Sequence, residues 1–207
     1  MLQIVTGAIS LGLLWAVMTI GVYITYRILN IADLTVEGSI AMGAAIAAKA
    51  IASGINPYIA TFLALIGGMA AGLVTGLLHT KLKIPALLSG ILTMIGLYSI
   101  NLRIMGKANI PLLRMETVYT PFENMGLDRN SAVIVLGLIC VLGLISILYW
   151  FFGTEIGCAI RATGNNPRMV SAQGINTNTT IILGLIISNG LVAFSGGLIA
   201  QNQSFAD

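Results

Sequence analysis

Six apolar runs, separated by short polar breaks, constrain this 207-residue sequence more than any other feature. They fall at about 4–26, 37–53, 57–79, 84–102, 131–152 and 179–201, each near the ~20 residues that a helix needs to cross a bilayer. Only 8% of the residues are charged, against about 25% in soluble domains, and 57% are hydrophobic. An ordinary water-soluble domain is therefore excluded. Closed β-barrels need strands of alternating polarity, whereas these runs are apolar all round. The sequence predicts an all-α, polytopic transmembrane helical bundle of about six spans, one domain covering 1–207, facing membrane lipid. The run at 37–53 is the weakest. It opens with Glu37 and is rich in small residues, so it reads as a tilted or half-crossing helix lined by protein.

Charge sets the expected orientation. Ten Lys and Arg against seven Asp and Glu give +3, but the basic residues are too scattered to follow a phosphate backbone, so nucleic acid is not expected as a partner. A positive-inside bias accounts for them better. It puts 27–36 (Arg27), 80–83 (Lys81, Lys83) and 153–178 (Arg161, Arg168) in the cytoplasm. The uncharged 54–56 and the mixed-charge 103–130, with Arg103, Lys107, Arg114 and Arg129 among Glu116, Glu123 and Asp128, then lie outside, as does the N-terminus. Lys49 and Arg103 sit near outer helix ends, where they can snorkel. Met1-Leu2-Gln3-Ile4 lacks the positive n-region of a signal peptide, so the first run is expected to remain as a span.

Glycine is abundant, 24 residues without a collagen-like period, and serves close helix packing. Ala64, Gly68, Gly72 and Gly76 recur every four residues and form a small-residue ridge. Cys140 lies in an apolar run and Cys158 in a polar loop, so both are read as free thiols.

The machinery of several enzyme classes is missing from the sequence. His79 is the only histidine, too little for a catalytic metal cluster. Gly106-Lys107-Ala108 lacks the other elements of a phosphate-binding loop, and no nucleophile elbow or His-Glu-x-x-His pair occurs. The chain is thus expected to be no enzyme and to bind no cofactor of its own. Polar residues within the spans are costly and face either a cavity or another helix. Asn189 and Ser188, near the middle of the last run, with Asn101 and Thr93, are the candidates for a solute path; an interhelical hydrogen bond is the competing reading for Asn189.

The segment 153–178 is far longer than a turn requires. Thr154 can cap a helix with Glu155 in its first turn, and Gly164 is a plausible stop. Asn166 caps again, Pro167 occupies the first helical position, and Gly174 is the next stop. So short a helix is marginal alone and needs a docking surface. Met169, Val170 and Gln173 would share one side of it beside Arg168, giving either a helix lying on the membrane interface or a knob for a groove on a cytoplasmic partner.

Ile160-Arg161-Ala162-Thr163-Gly164-Asn165-Asn166-Pro167-Arg168-Met169, followed by Gln173-Gly174-Ile175, resembles the coupling-loop signature of ABC importer permeases of the branched-chain amino acid and ribose superfamily. Asn30-Ile31-Ala32-Asp33-Leu34-Thr35-Val36-Glu37-Gly38-Ser39, leading into Met42-Gly43-Ala44-Ala45, is similar to a second landmark of that superfamily. The resemblance implies a coupling loop containing Glu155, Gly157, Arg161, Ala162, Gly164, Asn166, Pro167, Arg168, Met169, Val170, Gln173 and Gly174. It also implies cytoplasmic ATPase subunits that carry the ATP-Mg, a second permease copy, an extracytoplasmic solute-binding protein, and a bacterial plasma membrane location. Such permeases usually continue for two or more further spans, so a truncated sequence is expected. The implied solute is small, with a lean towards hydrophobic, aromatic or branched-chain amino acids. An ion-coupled secondary transporter, which would need buried acids and inverted repeats, and a structural subunit without a path are the alternatives. Every Asp and Glu here is expected near a span end or in a loop, which counts against ion coupling.

Overall fold

The computed structural model describes residues 2–113 and 115–206, the side chains of Leu2 and Gln3 excepted; Arg114, one of the expected outer cations, lies outside the described residues. Helix α1 (Leu2–Tyr23) runs into a π-helical turn (Ile24–Ile28) and is followed by α2 (Thr35–Ala52), α3 (Pro57–Thr80) and α4 (Ala86–Met105). After a short strand β1 (Ile110–Pro111) come α5 (Thr120–Asn124), α6 (Arg129–Gly153), α7 (Glu155–Asn165), α8 (Pro167–Ala172), α9 (Thr177–Gln203) and strand β2 (Phe205–Ala206). Among the described residues six helices, α1 with its π turn, α2, α3, α4, α6 and α9, are long and apolar enough to cross a membrane. The expected helical bundle is therefore present, with span ends within a few residues of those read from the sequence.

Helix α9 is the axis on which the others pack. Two thirds of its most apolar window (67%) is buried, against 22% for α1 and for α6, whose outer faces are left to lipid. Contact pairs fix the directions. Gly21 meets Ser188, and Ser195 bonds the Leu14 carbonyl, so α1 runs antiparallel to α9. Gly68 lies against Asn189 and Gly76 against Ile182, making α3 antiparallel as well. Gly43 at Ala193 and Ala47 at Gly197 make α2 parallel to α9, while Gly7 at Asn130 and Leu13 at Gly137 align α6 with α1. One end of the bundle thus gathers 29–34, 81–85 and 154–176. The other gathers the start of α1, 53–56 and 106–128.

The glycine ridge acts as expected. A Cβ on Gly68 would strike the Asn189 carbonyl oxygen, and one on Gly43 the carbonyl of Ala193, so α9 meets both neighbours backbone to backbone. Small residues permit that approach, and dispersion over the contact stabilises it where no hydrophobic driving force acts between helices in lipid.

Helix α2 starts well inside the bundle. Ser39 in its second turn bonds Asn189, which lies about 18 Å along α9 from Thr177 at 1.5 Å per residue. The segment before α2 re-enters from the end of α1 to reach that height, with Asn30 in the left-handed region at φ 56°. Asp33, expected in a surface loop, is consequently drawn in beside the middle of α9. Asp33 thus lies in a loop, as the sequence reading has it, but in one that turns into the bundle. The far end of α2 still reaches the opposite face, where Ile51 joins a cluster with Ile110, Leu112 and Ala206.

The segment between α4 and α6 folds back over that end of the bundle as a lid. Strand β1 pairs antiparallel with β2, and the buried Tyr119 hydroxyl donates to the Leu198 carbonyl at 3.0 Å. Burial pushes that phenol far above its ordinary range and keeps it a donor. Arg129 reaches the carbonyls of Gln201 and Asn202, each at 3.1 Å, so the C-terminal end of α9 meets a cation.

Replacing Gly68 by Val should destabilise the bundle by about 1–3 kcal/mol or more, because a backbone carbonyl rather than a flexible side chain must yield. Gly143→Ala, where the structure leaves open space, should cost nothing comparable. Thermal unfolding of both variants in detergent compares them; equal midpoints would mean that the α3–α9 approach is looser than described.

Candidate functional site

The α7–α8 elbow forms from local signals and is then pinned by tertiary contacts. Thr154 Oγ1 accepts from Gly157 N at 3.3 Å and starts α7 with Glu155 at its positive end. Gly157, Ile160 and Thr163 form the buried side of α7, and Thr163 Oγ1 lies 2.8 Å from Thr180 Oγ1 on the first turn of α9. Asn166 Oδ1 accepts from Met169 N at 3.1 Å, Pro167 opens α8, and Gly174 ends the elbow with φ at 83°.

Two expectations are corrected. Gly164 is not a helix stop: α7 runs through it to Asn165, and its missing side chain instead lets the Ile28 carbonyl come against the helix. Val170 does not share the outer face with Met169 and Gln173. It is wholly buried, as a peg that holds α8 to the bundle. Met169, 49% exposed, remains outside with Pro167, Arg168, Gln173 and Gly174, while Glu155 and Arg161 lie exposed on α7 and Ala162 half-buried.

The expected path residues do not come together. Asn189 is fully buried. Its Oδ1 accepts from Ser39 Oγ at 2.6 Å, and its Nδ2 donates to Asp33 Oδ2 at 2.7 Å and to the Leu185 carbonyl at 3.1 Å. Ser188 Oγ donates to the Gly21 carbonyl at 2.7 Å. Thr93 accepts from Thr75, which also lies 2.8 Å from Thr35. These side chains form the interhelical bonds of the competing reading. Asp33 Oδ1 accepts from Thr35 N at 2.9 Å, so the carboxylate sits at the positive end of α2 with both oxygens bonded.

Asn101 is also buried, and its amide bonds the backbone of α2. It borders an open cleft of about 370 Å³ between α2 and α4, with Glu37, Ala41, Ile95 and Tyr98. Glu37 is exposed there, at about the height of Asn189, since Ser39, two residues further along α2, bonds Asn189. Tyr98 is 67% exposed beside it. A carboxylate at that depth is not left facing hydrocarbon; it needs protein or water. Sequence reasoning missed it because Glu37 at the first turn of a helix reads as an ordinary dipole partner. The short polar break that precedes it was the available signal for its depth.

Known proteins agree with this architecture. Residues 4–207 match the family described as branched-chain amino acid transport system / permease component. The chain is 45% identical over 98% of its length to the tyrosine transport system permease protein of Clostridioides difficile (strain R20291), covering 67% of that protein. It is 35% identical over its whole length to an uncharacterized protein of Rickettsia prowazekii (strain Madrid E), covering 71% of it. It is 27% identical over 97% to the probable branched-chain amino acid transport permease protein LivH of Methanocaldococcus jannaschii, again covering 67%. No solved structure matches. With six membrane-length helices in the expected order and a family match across nearly all of the sequence, the chain belongs to the ABC permeases of the branched-chain amino acid transport type.

Proposed function

We propose that this chain is the membrane-spanning subunit of an ATP-driven importer, carrying a small amino acid of hydrophobic, aromatic or branched side chain into the cytoplasm by alternating access. The α7–α8 elbow carries this reading. It is pinned at Thr163–Thr180 and by Val170, yet presents Met169 and Arg168 outward at one end of the bundle. A short helix so held suits a groove on a cytoplasmic ATPase subunit, where the ATP-Mg would be bound and hydrolysed. A second permease copy and an extracytoplasmic solute-binding protein complete the assembly. The elbow end then lies in the cytoplasm of a bacterial cell, and the lid and N-terminus lie outside. The tyrosine permease relative supports an amino acid as solute.

The path is assigned to the α2–α4 cleft rather than to Asn189. Glu37 offers a charge partner for an ammonium group, Tyr98 a face for an apolar side chain, and Asn101 a polar wall. The acids also favour a second reading, ion coupling, through Asp33. Its two oxygens are taken by Thr35 and Asn189, and no cation partner lies within salt-bridge distance among the described residues. Uptake into proteoliposomes separates the two: ATP dependence without an ion gradient supports the importer, and gradient dependence without ATP supports ion coupling.

Orientation is tested with single cysteines at the exposed positions Ser171 and Asn124, after Cys140 and Cys158 are replaced. A membrane-impermeant thiol reagent applied to intact cells should modify the Asn124 site and spare the Ser171 site; the reverse pattern rejects the orientation.

Met169→Asp should strip the ATPase subunit from the purified complex, since an unpaired carboxylate in a buried contact costs several kcal/mol. Pro167→Gly should act more gently, removing only the pre-set φ that starts α8. Full retention and full solute-stimulated hydrolysis with Met169→Asp would remove the elbow from coupling.

Glu37→Gln should lower uptake of a zwitterionic amino acid about tenfold while ATPase-subunit retention stays normal, the loss expected for one charged hydrogen bond. Unchanged uptake would place the path elsewhere.

A further inference from the structure

Helices α1 and α6 run side by side but part towards the elbow end, leaving a trough of about 770 Å³ open to the surface. Its walls are apolar, with Ile20 and Ile24 on one side and Ile145 and Leu148 on the other. At its end stand Tyr23, Tyr149 and Arg161. There the trough meets a second, mostly polar hollow of about 590 Å³, lined by Arg27, Tyr26, Asn30 and Asn165 together with Tyr23 and Arg161. Tyr23 and Arg161 belong to both, so the two hollows form one continuous amphipathic groove.

The cations at the mouth are uncompensated by nearby acids. Among the described residues the one ion pair is Arg129–Glu123, at the opposite end of the bundle. Arg161 Nη2 reaches only the Cys158 sulfur, at 3.2 Å, and Arg27 is exposed. The carboxylate on the same elbow, Glu155, makes no salt bridge to Arg161. Two guanidinium groups beside tyrosine hydroxyls, at the end of an apolar trough that opens on the lipid face, complement an amphiphile with an anionic head. Basic pockets between membrane helices at a leaflet surface have that chemistry.

We propose that the α1–α6 groove is a binding site for one anionic phospholipid, its phosphate held between Arg27 and Arg161 and an acyl chain lying along Ile24 and Ile145. The site is independent of the transport reading, because it requires neither an ATPase nor a solute. It nevertheless touches the machinery: Arg161 is on α7, and Ile28 at the groove wall lies against Gly164. A bound lipid would therefore join the end of α1 to the elbow.

The test uses the full chain, purified in mild detergent, stripped of lipid and titrated with equimolar phosphatidylglycerol and phosphatidylcholine of identical chains, with bound lipid read by native mass spectrometry. One phosphatidylglycerol should be retained, preferred about tenfold or more through two cations. Arg27→Gln with Arg161→Gln should abolish the preference, and Arg27→Lys with Arg161→Lys should keep most of it, which controls for folding. Acyl-free glycerol phosphate in excess should not displace the lipid. Equal retention of the two lipids, an unchanged preference in the double Gln variant, loss in the double Lys variant equal to that in the double Gln variant, or displacement by glycerol phosphate would each overturn the proposal. So would a protein segment or second copy that occupies the groove and blocks retention of either lipid.

Discussion

Four polar side chains of α9 find their partners on five other parts of the chain: Ser188 on α1, Asn189 on α2 and on the segment before it, Ser195 again on α1, and Gln201 on Thr61 of α3 and on Val118 of the lid. With no water inside a lipid layer such groups take partners within the protein, and a bond to another segment selects both a neighbour and a height. Individually such bonds are worth about 1 kcal/mol. Their value lies in register. The glycine contacts allow α2 and α3 to slide against α9, and the polar bonds choose one position of that slide. Gln201 shows the principle most fully, since its two ends tie α3 and the lid to the same turn of α9.

Much of this architecture is legible in the sequence because its causes are local. Run length and hydropathy mark the six spans, and Asn166-Pro167 and Gly174 mark the two ends of α8, since cap geometry depends on a few neighbouring residues. What resists reading is whatever a distant segment decides. Gly164 has the chemistry of a helix stop, but here its use is to admit the Ile28 carbonyl, a contact from more than a hundred residues away. Val170 and Met169 are adjacent and similarly apolar; only the position of the bundle separates the peg from the exposed face. Asp33 misleads for a related reason. Hydropathy places a polar break at the surface, whereas the start of α2 and the Asn189 amide supply enough compensation to hold a carboxylate inside.

The elbow and the re-entrant segment meet at the end of α1. Helix α7 rests on α9 through Thr163 and on the Ile28 backbone through Gly164, and Leu29 packs against Gly184 of α9. The elbow is therefore in contact with two helices together. One is the axis of the bundle; the other leads directly into the segment that carries Asp33 and then Glu37. The backbone on which α7 rests and the polar interior are thus only a few residues apart along the chain: Ile28 precedes Asp33 by five residues and Glu37 by nine.

The π-helical turn at Ile24–Ile28 gives that short connection a further property. Its wider turn persists to Leu29, whose N–H bonds the Ile24 carbonyl five residues back at 3.0 Å, and Ile31 N reaches the Thr25 carbonyl at 2.9 Å. A π turn holds one residue more than the helix it interrupts. Loss of that extra residue lets the turn close as ordinary α-helix, so a one-residue deletion there is taken up locally, before Leu29 at Gly184 and Asp33 at Asn189. The π turn thus gives the connection between α1 and α2 a slack of one residue, held ready by the wider hydrogen bonds at Leu29 and Ile31.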